Sequence, residues 1–288
     1  MTPLTRRYFL KWIIGWPFFS AWVHPVSGDG VFSAALRDEL KTSIGAFFDG
    51  EELTYEIGFW IIPRVALGTL GFKEVKGKKG LFRATLQAES VEFPGWAARY
   101  RVDTYRSTME EIEAGRRLRS LTFEEVVKVG TKSRKRVHLF DHQRQKWIVR
   151  RQRNDGTMTT KEETIPPGRV YDDFLTASYN FRYGVYGLVE NGKTFKIPTF
   201  PRKGAASYEV RVVTKEEEKR RRNEEKSEKG KDFFLRLRLD PEVTHSKEGW
   251  VEGWLSRDLT PIEGKIKNVI LFGDLRASLI QRVERPSR

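Results

Sequence analysis

Cysteine is absent from the 288 residues. That excludes disulfides, iron–sulfur clusters, cysteine-ligated zinc and thiol catalysis. A domain without covalent staples is held by apolar burial and sheet hydrogen bonding, for which this length suffices. Histidine is scarce, with four residues. His24 falls in the N-terminal segment and His245 in a polar stretch with no evident partner. His138 and His142 flank Asp141 with a spacing that would pair them on a helix. Their surroundings read as strand, turn, strand, so the imidazoles need not converge and no metal is expected. There is no Gly-x-Ser-x-Gly nucleophile turn, no Gly-x-x-x-x-Gly-Lys phosphate loop and no dinucleotide fingerprint. Neither a catalytic set nor a cofactor is therefore expected. A hydrolase of envelope polymers remains as an alternative, because the separation of a glycosidase carboxylate pair is a three-dimensional quantity.

What is present begins with charge. The formal net charge is +14, with 32% charged, 39% hydrophobic and 12% aromatic residues, too aromatic for a disordered chain. Such an excess favours anionic partners: lipid headgroups, acidic glycans or nucleic acid. The N-terminus narrows that choice. Thr5-Arg6-Arg7-Tyr8-Phe9-Leu10-Lys11 resembles the twin-arginine export motif, with Arg6, Arg7, Phe9, Leu10 and Lys11 at its defining positions. A short apolar stretch follows from Trp12 to Val23, about half of the ~20 residues a membrane-crossing helix needs. Positive charge ahead of a short apolar region is the signal-peptide pattern. Residues 1–28 are thus expected to be a leader that engages the twin-arginine translocase and delivers a periplasmic protein, with an uncleaved anchor as the alternative. Export removes nucleic acid from the expected partners and leaves anionic lipid and envelope glycan.

Beyond the leader, residues 29–48 place Phe32, Leu36, Leu40, Ile44 and Phe47 on one stripe of an amphipathic helix. From Leu53 the pattern becomes short runs of Val, Ile, Phe, Tyr and Thr separated by Gly, Asp, Asn or Lys clusters. Expected strands are 53–62, 66–75, 81–91, 97–105, 118–127, 135–140, 146–151, 159–164, 193–197, 207–213, 233–239, 249–256, 262–268 and 277–282. So many closely spaced strands with few helical crossovers predict one continuous antiparallel sheet, curled or barrel-like, in a domain over 49–282 with a tail at 283–288.

One interior helix is expected after Pro166-Pro167-Gly168. Asp172 or Asp173 can cap its start and Gly184 stop it. Phe174, Ala177, Ser178 and Phe181 share one face; Leu175, Tyr179 and Arg182 share an adjacent one. The run from Lys215 to Lys231 has no apolar residue and reads as a solvated hairpin extension or short mobile helix inserted between strands.

Three stretches then combine. Phe47-Phe48-Asp49-Gly50-Glu51-Glu52-Leu53-Thr54-Tyr55 forms an opening strand with Gly-Glu ahead of Leu-x-Tyr. Pro167-Gly168, Asp173 to Tyr179 and Arg182 form a central helix with Asp at its start and Arg at its end. Trp254-Leu255-Ser256-Arg257-Asp258, Pro261-Ile262 and Gly273 form a closing hairpin. In this order they resemble the exported bacterial envelope proteins grouped as domain of unknown function 3108, over residues 47–280. The resemblance implies a mainly β fold, a single curved antiparallel sheet or open half-barrel akin to lipoprotein carriers. It implies no activity.

Two functional readings follow. The first is non-enzymatic binding of a hydrophobic or amphipathic, lipid-like ligand in the curved sheet. Arg182, Tyr179 and Asp173 would be polar anchors, and Trp60 and Trp96 part of the aromatic lining. The structural alternative for the polar trio is a helix cap, a core tyrosine and an arginine paired with Glu52, Glu56 or Asp258. The second functional reading is an interaction module for envelope glycan or a protein partner.

Overall fold

The computed structural model describes residues 42–91, 100–153, 156–202, 205–224, 230–238, 249–269 and 273–283. The expected leader with its twin-arginine-like motif (Arg6, Arg7, Phe9, Leu10, Lys11), the first part of the expected N-terminal helix, Trp96, His245 and residues 284–288 lie outside them. No helix among the described residues is long and apolar enough to cross a membrane.

The chain opens with a short helix α1 (Ile44–Phe48), capped by the Ser43 hydroxyl. The strands β1 (Glu52–Phe59), β2 (Ile62–Glu74), β3 (Leu81–Ser90), β4 (Arg101–Ile112), β5 (Arg117–Val129), β6 (Lys132–Asp141), β7 (Lys146–Gln152) and β8 (Met158–Thr164) follow. Helix α2 (Phe174–Tyr183) comes next, then β9 (Thr194–Arg202), β10 (Ala205–Val212) and helix α3 (Lys215–Glu224). The chain closes with β11 (Phe233–Arg238), β12 (Trp250–Leu255), β13 (Pro261–Val269) and β14 (Gly273–Val283).

All fourteen strands form one sheet in the order β8-β7-β6-β5-β4-β3-β2-β1-β14-β13-β12-β11-β10-β9. It consists of two antiparallel meanders joined at a single seam, where β1 pairs with β14, Leu53 opposite Arg282 and Ile57 opposite Ala277. Alternation sets the faces. In β1, Leu53, Tyr55 and Ile57 are buried while the residues between them are not. Register shifts at Thr54/Tyr55 in the seam and at Thr108/Met109 between β4 and β5 bend the strands, as bulges do.

The two edge strands, β8 and β9, are consecutive in sequence, so the segment joining them must cross from one edge of the sheet to the other. α2 lies in that segment and occupies the trough. Its Leu175 and Tyr179 pack with Leu53, Phe72, Met109 and Phe123 of the first meander. Its Ala177 and Phe181 pack with Phe195, Val210, Val212 and Leu255 of the second. A helix that touches both halves requires the sheet to curl around it. The edges approach through side chains: the Phe200 ring of β9 lies 4.7 Å from His138 and 5.1 Å from Trp147, and Asp172 forms a parallel bridge with Thr199.

α1 plugs one end. Ile44 and Phe48 are buried, and a Cβ at Gly45 would stand 2.1 Å from the Phe82 ring, so only glycine permits this approach. Of the two alternatives for the charged run, its first part takes the short helix between strands. Residues 215–224 form α3, which packs on the convex face, with the Arg221 guanidinium 5.6 Å from the Phe234 ring centroid and that of Arg222 5.1 Å from Trp254.

Candidate functional site

The candidate site is the second face of α2 and the strands opposite it. Placement of the helix is set by polar contacts at both ends. The Asp173 carboxylate accepts from the Leu175 and Thr176 amides at 2.9 and 3.1 Å, the N-cap its position predicted. Its other oxygen accepts from Ser107, Ser120 and the Thr176 hydroxyl at 2.5–2.8 Å. At the far end Gly184 adopts φ 88°, the left-handed conformation that ends helices. In mid-helix, the Asn180 side chain exchanges two 2.9 Å hydrogen bonds with the Leu118 backbone.

Arg182 is buried and makes a two-pronged ion pair with Glu51 at 2.6 and 2.7 Å, while its Nε donates to the Leu259 carbonyl at 3.0 Å. Its guanidinium stacks 4.7 Å from the Phe48 ring. Burial alone would discourage its charge, but Glu51 outweighs that and keeps it a cation. Tyr179 lies in the aromatic core, 4.9 Å from Phe48 and 4.5 Å from Phe72. Burial first, and the Glu51 charge second, hold its phenol protonated.

Of the expected anchor trio, Tyr179 and Arg182 meet, the guanidinium 5.3 Å from the ring, while Asp173 caps the opposite end of the helix, and all three serve the frame that seats it. Arg182 takes Glu51 as partner in place of Glu52, Glu56 or Asp258, and its charge is consumed inside the protein rather than offered to a ligand headgroup. Asp258 instead pairs with Arg282 at 2.6 Å. Against the effect of burial, that cation and the Ser256 and Thr260 hydroxyls hold its carboxyl down at about 2. Trp60 is not in the trough: it sits in the β1–β2 turn, 69% exposed. The histidines do not meet. His138 is buried and accepts from Trp147 Nε1 at 3.1 Å, whereas His142 bonds the Ser120 carbonyl at 2.7 Å. No cluster of metal-ligating groups occurs among the described residues.

The other face of α2 meets a cavity. Phe174, Ala177, Ser178 and Phe181 look across at Ile197 of β9, Tyr208 and Val210 of β10, Leu235 and Leu237 of β11, and Val251 and Gly253 of β12. The pocket is a groove partly open to solvent, with a cavity volume of about 90 Å³. Two neighbouring rungs shape it. Gly253 pairs with Gly264, and Gly264 with Ala277, a row of small residues that keeps the trough deep. Leu275, Ile266, Val251, Leu237, Val210 and Phe195 pair in turn across β14 to β9, giving an apolar floor that runs from the seam to the sheet edge. The Glu252 carboxylate is directed to the opposite face, bonded to Arg221, Arg236 and Lys267 at 2.8–3.2 Å. Ser178 is the one hydroxyl on the helix side of the lining, and the lining holds no histidine.

The face of α2 that lines the pocket was legible from its spacing. The strand residues opposite were not, because they come from four strands whose juxtaposition depends on which meander lies across the helix; the alternation in 194–212 and 233–255 was the available signal.

A profile of the family described as Protein of unknown function (DUF3108) matches residues 54–280. No curated protein matches the chain. Among solved structures, the crystal structure of a β-barrel-like protein of domain of unknown function DUF1849 from Brucella abortus is similar over 82% of this chain and 97% of that one, with a TM-score of 0.45 and 10% identity.

Proposed function

The chain belongs to the DUF3108 family, and from that premise, which brings no activity with it, we propose an exported, non-enzymatic protein that holds a hydrophobic or amphipathic molecule between α2 and β9–β12. The pocket carries this reading. Its lining is apolar with few polar groups, as small-molecule sites are. An acyl chain matches that lining in polarity. The hydrolase alternative finds no support here, since the pocket offers neither a carboxylate pair nor a serine beside a base.

The test is native mass spectrometry of protein recovered from its own envelope fraction. A bound mass of acyl-chain or lipid size is expected in wild type. It should be lost in Ser178→Phe, which fills the pocket from a half-buried helix position and leaves the Arg182–Glu51 frame intact. A clean unliganded mass for wild type would overturn the proposal and favour an interaction module.

A further inference from the structure

The end of the sheet that carries the β1–β2 turn combines two features the pocket does not use. The first is the turn itself. Trp60 and Ile61 are 69% and 74% exposed, yet the turn is held firmly. The Trp60 amide donates to the Asp274 carbonyl at 2.8 Å. Gly273 lies so close beneath that a Cβ there would stand 2.8 Å from the Phe59 ring and 3.0 Å from Trp60 Cβ. Two large apolar side chains are thus presented to solvent on a rigid support.

The second feature is charge. Lys128, Lys132, Arg134, Arg150, Arg151 and Arg153 are all exposed, and none has an ion-pair partner among the described residues. They come from the β5–β6 turn and the end of β7. Arg151 sits directly opposite Arg136, a like-charge pairing that destabilises a sheet. The Arg136 charge depresses the Arg151 pKa more than burial does. The acidic groups close by are already engaged: Glu124 by Lys135 and Arg106, Glu125 by Arg136, Glu56 by Arg64 and Glu89 by Tyr100.

Both features lie at one rim. The rung through Ile57, Ala66 and Ser90 continues through Arg101 and Val129 to Lys132. Lys132 therefore stands at the height of Ile57, just short of the Trp60–Ile61 turn. About four strand spacings, roughly 19 Å, separate the two turns.

We propose that this rim, with the Trp60–Ile61 turn and the cations of β5–β7, docks the protein onto an anionic lipid bilayer. Indole and isoleucine enter the headgroup–acyl boundary favourably, and the cations farther along the same rim, without ion-pair partners among the described residues, gain from anionic headgroups. A soluble polyanion would use the cations and leave Trp60 and Ile61 without a role. The proposal stands whether or not the pocket holds a ligand.

The test is flotation of the full chain with phosphatidylcholine vesicles, with and without about a third phosphatidylglycerol. Wild type is compared with two double variants, Trp60→Asn with Ile61→Ser and Lys132→Glu with Arg134→Glu. Asparagine suits the left-handed backbone at position 60, where φ is 52°, and all four side chains are exposed, so both variants should keep the wild-type Tm. Wild type is expected to float only with phosphatidylglycerol. The charge variant should lose binding by roughly fivefold per cation removed, and the turn variant by roughly tenfold. Absence of wild-type flotation, equal flotation on both vesicle types, or wild-type binding by either variant would overturn the proposal. So would loss in the charge variant alone with heparin competing fully, which would assign the rim to a soluble polyanion.

Discussion

Asp172 carries an electrostatic cost at the mouth of α2. It is fully buried beside Asp173, and burial pushes its carboxyl up to about 6 even though Arg117 at 3.2 Å, Tyr186 at 2.6 Å and Asn180 at 3.3 Å donate to it. A folded value above the ordinary 3.8 means that its contribution is fully present below about pH 4 and is lost as pH rises through about 6. His138 acts in the opposite sense. Burial, with Arg136 as the second cause, drops its imidazole to about 3 from 6.5, so its contribution is present above about 6.5 and is lost as pH falls. The two oppose each other in a simple pH scan, and a difference separates them. Wild type should gain stability relative to Asp172→Asn by on the order of 2 kcal/mol between pH 7 and pH 4, read as urea midpoints at each pH. An unchanged difference would mean that Asp172 is ionised throughout.

At the scale of elements, the two long helices are held by opposite means. α2 was legible from the sequence to its boundaries, because Asp173, the stripe of Phe174, Ala177 and Phe181, and Gly184 each declare a local preference. Its partner for Arg182 was not, since Glu51 lies 131 positions away and a sequence pattern names candidates without distances. α3 was the less legible helix. It has no buried residue, so hydrophobic periodicity has nothing to detect. Its hold on the sheet is cationic and aromatic: Arg221 and Arg222 lie over Phe234 and Trp254, and Glu217 and Glu252 gather Arg211, Arg221, Arg236 and Lys267. Partly exposed charge contacts weaken with salt. Amide exchange in 215–224 should therefore quicken markedly at ~1 M salt while 174–183 stays protected. Equal protection at both salt concentrations would show that α3 is held by something other than charge.

For the whole molecule, the strands were legible and their arrangement was not. Alternation and turn residues marked all fourteen strands, most to within a few residues, because period-two burial is local; β4 runs on to Ile112 and β9 to Arg202, past their expected ends at 105 and 197. The order of the sheet is not local. Nothing in 52–59 announces 273–283 as its neighbour, and the placement of α2 inside the trough follows only once β8 and β9 are known to be opposite edges. Location is a further property of the whole chain. If Arg6-Arg7 is the export signal, replacing both with lysine should leave the protein in the cytoplasm on cell fractionation; unchanged export would assign the leader to another translocase. The seam bears on the same journey. The Tyr55 hydroxyl reaches the Pro261 carbonyl across 206 positions, and β1 waits for β14, the last of the described strands. At roughly 5–20 residues per second, the first strand spends on the order of tens of seconds outside the ribosome with one side unpaired. A chain cut short before Gly273 would keep that side open for good, beside the equally open side of β13. A product truncated there would present two unpaired edges at the centre of its sheet, the kind of edge that pairs with other chains.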